Sequence, residues 1–167
     1  MIDSHFLRKG QCGYGDTVSR GIDPNQMGLY LPDVNLGDGF VVDSVSLGVA
    51  HSCAVSTNYT AKCFGSGENG ALGIGDTTES NRGDEALEMG DYLPLLVFPS
   101  AFLPTQLSAG YQSSCAVSTD ARVCCFGYGA DGLTGQGNTT NNTLVFNGST
   151  ADLLKHLEQR GGGNGSD

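Results

Sequence analysis

Short apolar stretches, each only a few residues long, alternate with glycine-rich and polar segments along the chain. Residues 41–47 are rich in β-branched side chains and partly alternate between apolar and polar, which predicts a strand. Residues 53–56 predict a second short strand, residues 58–60 a turn, and residues 61–64 the returning strand. A further short strand is expected at residues 95–98. The pattern predicts a small antiparallel sheet and no long helices.

An internal repeat organises this pattern. The string Ser-Leu-Gly-Val-Ala-His-Ser-Cys-Ala-Val-Ser-Thr at residues 46–57 returns, with changes, at residues 108–119, an offset of 62 positions. The string Cys-Phe-Gly at residues 63–65 returns at residues 125–127 with the same offset. A glycine-rich element occurs three times, at residues 10–17, 70–77 and 132–139. Several blocks that keep one spacing indicate tandem copies of one structural unit.

A small antiparallel sheet repeated in tandem is the organisation of a β-propeller, in which each sheet forms one blade. We therefore predict an all-β fold with about two and a half repeats of 62 residues, forming an incomplete propeller. The propeller part is expected to span residues 1–148. Its predicted repeats are residues 10–71, residues 72–133 and a partial copy at residues 134–148.

The C-terminal region departs from the repeat. Ser149, with Asp152 three positions later, fits the pattern of a helix start. A short helix is therefore predicted at residues 149–160. The glycine-rich residues 161–167 that follow are expected to form a flexible tail.

Three segments carry a resemblance to a known family. They are His-Ser-Cys-Ala-Val at residues 51–55, Lys-Cys-Phe-Gly at residues 62–65 and the glycine-rich element at residues 70–77. In this order they resemble the repeat of the regulator of chromosome condensation superfamily, and the resemblance covers about residues 10–148. It implies a β-propeller whose common role across the family is contact with other proteins.

The resemblance is incomplete in length and in detail. Phe64 and Phe126 stand where the family usually has tryptophan, and Cys12 stands where it usually has leucine. Such proteins are normally seven-bladed, and seven repeats of this length need roughly 430 residues. With 167 residues, the chain is expected to be a fragment of a longer propeller. The alternative is an open stack of blades, whose exposed strand edges invite self-association.

The acidic composition argues against several classes of function. The net charge at pH 7 is −10 and eight residues are Lys or Arg, so the chain lacks the basic face that nucleic-acid phosphates require. No stretch approaches the roughly 20 apolar residues of a membrane span. The string Gly-x-Gly-x-x-Gly occurs at residues 65–70 and 127–132, but the residues after it are too rich in glycine for the helix that dinucleotide binding needs. No cofactor is predicted.

The cysteines follow the repeat. Cys53 and Cys63 flank one predicted hairpin turn, and Cys115 and Cys125 flank the next, so each pair faces across two strands at a separation that suits a disulfide. We predict the disulfides Cys53–Cys63 and Cys115–Cys125, with buried free thiols as the alternative. Disulfides favour an extracellular or secretory location over a cytoplasmic one. The cysteines left over are Cys12 and Cys124. No Cys-x-x-Cys spacing supports a metal site.

No catalytic residues are predicted, because His51 and Cys53 lack a third group to orient them. The predicted function is therefore a non-enzymatic protein–protein interaction module. Two alternatives remain open: a guanine-nucleotide exchange factor for a small GTPase, and a secreted or cell-surface structural protein. A partner protein is expected, but neither its identity nor the binding face follows from the sequence.

Contacts with that partner are expected at insertions in the repeat, where binding faces tend to form. The acidic loop at residues 82–91 is the first choice, together with its equivalent at residues 23–30. The candidate interface residues are Arg82, Asp84, Glu85, Glu88 and Asp91. Acceptor sequons occur at Asn58, Asn138, Asn141, Asn147 and Asn164, and the first four are the candidate glycosylation sites.

Overall fold

A computed structural model describes residues 9–75, 80–135, 137 and 139–141. The predicted C-terminal helix at residues 149–160 and the tail at residues 161–167 lie outside these ranges, as do three of the five sequons, Asn138, Asn147 and Asn164.

The first sheet, here called blade 1, contains three antiparallel strands in the order β1-β2-β3. Strand β1 spans Val42–Leu47, β2 spans His51–Ser56 and β3 spans Ala61–Gly65. Every residue of β2 and β3 is buried, whereas most of β1 is exposed. Blade 1 is therefore covered on both faces of its two later strands.

The second sheet, blade 2, repeats this arrangement 62 residues later. Strand β4 spans Pro104–Ala109, β5 spans Ser113–Ser118 and β6 spans Val123–Gly127, in the order β4-β5-β6. The pairing registers match, and each first strand has an irregularity after its first residue. In the described part of the chain, the only helical segments are 3-10 turns of three residues each. The prediction of an all-β fold with tandem blades is confirmed.

The prediction of a fourth strand at residues 95–98 is wrong. This segment is extended, and the backbone of Leu96 donates one hydrogen bond to the Ala61 carbonyl at 2.8 Å. A single bond does not make a ladder, so the segment runs beside β3 without joining the sheet. Its residue Leu96 is nevertheless 6% exposed and belongs to the core between the blades.

The two hairpin turns are closed by the same local interactions. Tyr59 and Ala121 each adopt a positive φ, at 61° and 63°. The Ser56 hydroxyl oxygen accepts the backbone N–H of Thr60 at 3.1 Å, as Ser118 accepts that of Arg122 at 3.1 Å. Because a serine hydroxyl satisfies the turn's backbone, the hairpin closes without a glycine.

A shared hydrophobic core joins the two blades. From blade 1 it takes the face of Cys53, Val55, Ala61 and Cys63, all at most 1% exposed. From the other side it takes Leu72, Leu96 and Phe126. A second core, on the opposite face of blade 1, contains Leu36, Ala54, Phe64 and Leu93. Leu93 follows the glycine-rich element at 70–75, so the chain turns back to blade 1 before it builds blade 2.

The glycine-rich element explains why blades stack with a fixed geometry. A Cβ on Gly13 would lie 2.8 Å from the Phe64 ring, and a Cβ on Gly73 would lie 2.5 Å from the Phe126 ring. Only glycine leaves room for the aromatic ring at this distance. The first two elements thus contact the aromatic residue of the blade that follows each of them.

A repeated hydrogen bond holds each glycine-rich element in place. The Ser52 hydroxyl donates to the Gln11 carbonyl at 2.9 Å, and the Ser114 hydroxyl donates to the Ala71 carbonyl at 3.1 Å. Both serines are buried, so these bonds satisfy hydroxyl groups that are shielded from water. The bond recurs with the repeat and is a structural part of each blade.

Candidate protein-binding surface

The loop at residues 80–93 is fixed against the end of blade 1. The backbone of Arg82 exchanges two hydrogen bonds with that of Gly65, at 2.7 and 2.9 Å. The carboxylate of Glu88 accepts the backbone N–H groups of Gly83 at 2.9 Å and of Glu85 at 3.1 Å. These bonds order a loop that the sequence suggested only as a polar insertion.

The structure divides the five predicted interface residues into two groups. Arg82, Asp84 and Glu88 are half-buried and engaged within the loop. Asp84 accepts a hydrogen bond from the Asn81 side chain at 3.0 Å, and an Arg82 guanidinium nitrogen lies 3.9 Å from Glu88. Glu85 and Asp91 are exposed. The first group therefore shapes the loop, and the second leaves its carboxylates exposed at the loop surface.

Sequence reasoning missed two apolar residues in the same loop. Leu87 is 73% exposed and Tyr92 is 68% exposed. Leu87 also holds a positive φ of 69°, a strained conformation for a residue with a side chain. The only sequence feature that marks Leu87 as a surface candidate is its apolar side chain among acidic ones. Tyr92 lies one residue beyond the predicted interface loop at residues 82–91. Exposed apolar groups on a fixed loop are typical of a binding surface.

Leu87 and Tyr92 line a groove of about 450 Å³ between this loop and the first glycine-rich element. Its other lining residues are Gly13, Tyr14, Gly15, Asp33, Asn35, Ala86 and Met89. Asp33 contributes an exposed carboxylate. We call this surface the loop groove. It combines aromatic and apolar walls with negative charge at its rim.

A basic side chain that packs on the groove-lining residue Tyr14 is already neutralised. Arg20 lies over the Tyr14 ring, 4.1 Å from its centroid, and forms an ion pair with Asp16 at 2.7 Å. The hydrogen bond from Arg20 lowers the pKa of Asp16 to about 2. Glu85 and Asp33 take no part in these contacts, so Arg20 does not offset their negative charge.

A buried lysine anchors the far end of the loop. The Lys62 ammonium donates to the carbonyls of Leu36 at 2.7 Å and of Gly90 at 2.8 Å. Burial lowers the pKa of Lys62, and the charge of Asp91 partly offsets this by raising it. Asp91 in turn accepts the backbone N–H of Asp38 at 2.9 Å. These bonds tie the loop to the strand-like segment that covers blade 1.

The cysteines are arranged as cross-strand pairs. Cys53 and Cys63 are directly opposite in register, with Cα atoms 4.1 Å apart and a sulfur–sulfur bond of 2.08 Å. Cys115 and Cys125 repeat this, with Cα atoms 4.0 Å apart. The two thiols outside these pairs are Cys12, which is exposed, and Cys124, whose pKa is raised by burial.

The two described sequons differ in their surroundings. Asn58 is exposed in the first hairpin turn, where its side-chain oxygen accepts a hydrogen bond from the Thr60 hydroxyl at 3.0 Å. Asn141 is also exposed, but its side-chain nitrogen donates to Asn69 at 2.9 Å. Glycosylation of either residue stays a prediction.

His51 is a packing residue. It is 1% exposed, and its Nε2 atom lies 2.8 Å from the Ser114 hydroxyl oxygen. Cys53, two residues away, is held in a disulfide, so it offers no thiolate nucleophile. Within the described ranges, no group of three or more His, Cys, Asp or Glu side chains is placed to hold a metal ion. None of the helical segments described has the length and apolar character needed to cross a membrane.

Comparison with known proteins gives structural likeness alone. No family model and no curated protein matches the chain. Yeast RCC1 (Prp20), solved with Kap60 bound, is similar with a TM-score of 0.55 and 21% identity, over 83% of this chain and 30% of that one. A second structure, of Prp20p from Saccharomyces cerevisiae, is similar with a TM-score of 0.55 and 21% identity, over 83% of this chain and 31% of that one. Human WBSCR16 is similar with a TM-score of 0.55 and 18% identity, over 81% of this chain and 31% of that one.

The chain thus spans less than a third of the length of the proteins whose structures it matches. Three observations support the same fold. They are the tandem blades, the glycine-rich elements that contact Phe64 and Phe126, and the likeness to these solved structures. The described residues have the fold of a segment of an RCC1 β-propeller, as the repeat motifs predicted.

Proposed function

We propose that the chain is a non-enzymatic protein-interaction module that supplies blades of a larger propeller, and that the loop groove is its binding surface. The observation that carries this proposal is the exposure of Leu87 and Tyr92 on a loop held rigid by backbone hydrogen bonds. Aromatic side chains on a fixed scaffold bind at low entropic cost, and they are common among the residues that dominate binding energy.

The charge of the surface indicates the kind of partner. Asp33 lines the groove with an exposed carboxylate, Glu85 is exposed next to the lining residue Ala86, and the net charge of the chain at pH 7 is −10. A segment carrying basic and apolar side chains complements both the rim and the walls. Electrostatic attraction of this kind raises the association rate, and salt screens it.

Binding to a peptide library tests the proposal. The immobilised chain should select peptides that combine Lys or Arg with large apolar residues, and binding should weaken as salt is raised. Replacing Leu87 and Tyr92 together by Ala should lower the affinity by about tenfold or more. Tyr30→Ala is the matched control, because Tyr30 is the repeat equivalent of Tyr92 and is equally exposed at 68%. Equal loss in the control variant contradicts the assignment of the groove.

Guanine-nucleotide exchange is the second candidate. It is favoured by one observation, the likeness to Prp20p, whose structure was described together with its binding to Gsp1p and histones. Those are binding partners of that protein, and a shared fold does not fix a shared function. A nucleotide-release assay with a purified small GTPase separates the two candidates. Release that the chain does not accelerate excludes exchange and leaves the interaction module standing.

A further inference from the structure

The hairpin turn of blade 2 holds a guanidinium group that its own chain supplies. The Arg122 side chain donates to the Asp120 carboxylate at 2.7 Å and to the Ala101 carbonyl at 2.6 Å. Its guanidinium carbon lies 5.5 Å from the centroid of the Phe102 ring. Carboxylates, carbonyls and aromatic rings all attract a guanidinium ion. Blade 2 therefore contains an arginine site that is filled from within.

Blade 1 builds the same frame from equivalent backbone. The N–H of Phe40 donates to the carbonyl three residues earlier at 3.3 Å, as the N–H of Phe102 does at 3.0 Å. Gly39 and its equivalent Ala101 both have a positive φ, of 75° and 58°. The Phe40 ring and the Gly39 carbonyl are therefore the counterparts of the two groups that contact Arg122 in blade 2.

Blade 1 has no arginine to fill this frame. Thr60 stands at the position of Arg122, and its hydroxyl group hydrogen-bonds back to the Asn58 side chain at 3.0 Å. A pocket of about 390 Å³ remains, which lies within the roughly 300–1,000 Å³ typical of ligand sites. We call it the hairpin pocket. Among its lining residues are Asp38, Gly39, Phe40, Thr60, Lys62 and Asp91.

The charges of the hairpin pocket favour a cation. The acidic residue of the blade 2 turn is replaced by the neutral Asn58, but Asp38 brings a carboxylate where blade 2 has Ser100. Lys62 and Asp91 also line the pocket, and the charge of Asp91 acts on the Lys62 ammonium group. One ammonium group against two carboxylates leaves one negative charge for a ligand to balance.

The Lys62 ammonium group does not take the place of the missing arginine. It donates to the carbonyls of Leu36 and Gly90, and Lys62 is only 6% exposed. The Arg122 side chain, in contrast, is 44% exposed. A guanidinium group at the equivalent position of blade 1 would therefore lie nearer to the surface than Lys62.

The neighbouring parts of the propeller leave this position accessible. Blade 2 has blade 1 before it, yet the side chains of Arg122 and Asp120 are 44% and 54% exposed. Blade 1 has the following loop in place, and that loop forms a wall of the hairpin pocket through Asp91, Pro94 and Leu95. A preceding blade therefore does not cover the position, and the following loop completes the pocket.

We propose that the hairpin pocket binds an arginine side chain of a partner protein. Its guanidinium group would lie on the Phe40 ring and donate to the Gly39 carbonyl and the Asp38 carboxylate. The Gly39 carbonyl already accepts the Val41 N–H at 3.1 Å, and a carbonyl oxygen has a second lone pair for the ligand. None of the described residues lines both this pocket and the loop groove, so the two sites are separate.

Titration of the full chain with N-acetyl-arginine amide, followed by NMR of the backbone amides, tests the proposal. The amides of Asp38, Gly39 and Phe40 should shift and saturate, with a Kd on the order of millimolar for a single side chain. The citrulline derivative has the same shape without the charge and should give no saturable shift. The lysine derivative should bind about fivefold more weakly, because an ammonium group lacks the planar fork of donors.

Two pairs of variants locate the site. Thr60→Arg places a guanidinium group where blade 2 has one and should abolish binding, whereas Thr57→Arg adds the same charge at an exposed residue of the same turn and is the control. Asp38→Asn should weaken binding about fivefold, through loss of a charge-assisted hydrogen bond. Its control is Asp131→Asn, which removes an exposed carboxylate of blade 2 and should leave the affinity unchanged.

The absence of a saturable shift at these amides overturns the proposal, as does equal binding of the citrulline or the lysine derivative. Binding that Thr60→Arg retains overturns it as well, once circular dichroism has established that this variant folds. If it does not fold, Asp38→Asn decides, and an affinity equal to that of Asp131→Asn overturns the proposal. Peptide selection by the loop groove is measured separately, so either proposal can fail alone.

Discussion

The His51 Nε2 atom of blade 1 lies 2.8 Å from the Ser114 hydroxyl oxygen of blade 2, and both side chains are 1% exposed. Ser114 donates its one hydrogen to the Ala71 carbonyl at 3.1 Å, so His51 must carry its own hydrogen on Nε2. Its Nδ1 atom is buried without a hydrogen-bond partner. Protonation of Nδ1 would place an unsatisfied charged donor in the core, so burial favours neutral histidine.

Stability should therefore fall in mild acid. Burial lowers the pKa of His51 to about 4 from an ordinary value of 6.5. The unfolded chain therefore binds a proton at this histidine more readily than the folded chain does. The stability that neutral His51 contributes is complete above pH 6.5 and is lost as the pH falls through about 4. The loss amounts to about 3 kcal/mol at most. Urea unfolding of wild type and His51→Gln between pH 7 and pH 4 measures it. Parallel profiles for the two proteins would show that His51 is not the titrating group.

Two glycines with the same backbone conformation should respond differently to alanine. Gly73 and Gly135 both have a φ of 65°, but only at Gly73 would a Cβ collide with the Phe126 ring, at 2.5 Å. Gly135→Ala should cost about 1 kcal/mol, from backbone strain alone. Gly73→Ala should cost about 2 kcal/mol more, because the ring must move. Thermal unfolding compares the two directly, and equal losses would contradict the packing of the glycine-rich element.

The two disulfides should break in a fixed order. Both close loops of equal length, but Cys53 and Cys63 are at most 1% exposed, whereas Cys115 and Cys125 are only half-buried. Reductant should therefore open Cys115–Cys125 first. Timed reduction, alkylation and peptide mass mapping follow the order. Protein purified without reductant that carries six free thiols would refute both bonds.

Loss of either disulfide should also lower stability. A loop of this size contributes about 3 kcal/mol through the unfolded state. Replacing each cysteine pair by Ala, one pair at a time, and measuring urea unfolding gives the two values. The Cys53–Cys63 pair should cost more, because its removal also leaves space in a closed core. A larger loss for the half-buried Cys115–Cys125 pair would argue against the burial difference.

Replacing Lys62 by Met should weaken the attachment of the loop at residues 80–93 to blade 1. The change removes two hydrogen bonds, to the carbonyls of Leu36 and Gly90. The Gly90 carbonyl keeps only the longer bond from the Leu93 N–H, at 3.3 Å. Stability should fall by about 2 kcal/mol, and the amide of Gly90, which donates to Asn35 at 3.0 Å, should exchange faster with solvent. Lys9→Met removes the same charge elsewhere and is the control. Unchanged exchange at Gly90 would show that Lys62 does not hold the loop.

Much of each blade could be predicted because residues close together in the sequence determine its strands and its turn. The β-branched pattern before Leu47 gave the first strand, and cysteines ten positions apart on either side of a short turn placed Cys53 opposite Cys63. The family motifs predicted the propeller, which the solved structures confirm as the fold. A pattern repeated at one spacing needs no long-range information, since each copy supports the interpretation of the other.

The loop groove was harder to predict because it depends on contacts between distant residues. Nothing local shows that residues 80–93 turn back to blade 1, where Leu93 packs beside Phe64. A lysine in a strand also reads as a solvated side chain, yet Lys62 is 6% exposed because two backbone carbonyls surround its ammonium group. The exposure of Leu87 and Tyr92 follows only once that path of the chain is known.

The return of the loop to blade 1 has a consequence for synthesis of the protein. The strands of blade 1 are complete when Gly65 has been made, but Phe64 is not covered until Leu93 has also left the ribosome. During that interval the growing chain presents an open aromatic face. Blade 1 is thus finished by Leu93, a residue of the next repeat, so a ribosome that stalls before Leu93 emerges holds a sheet whose Phe64 ring is not yet covered.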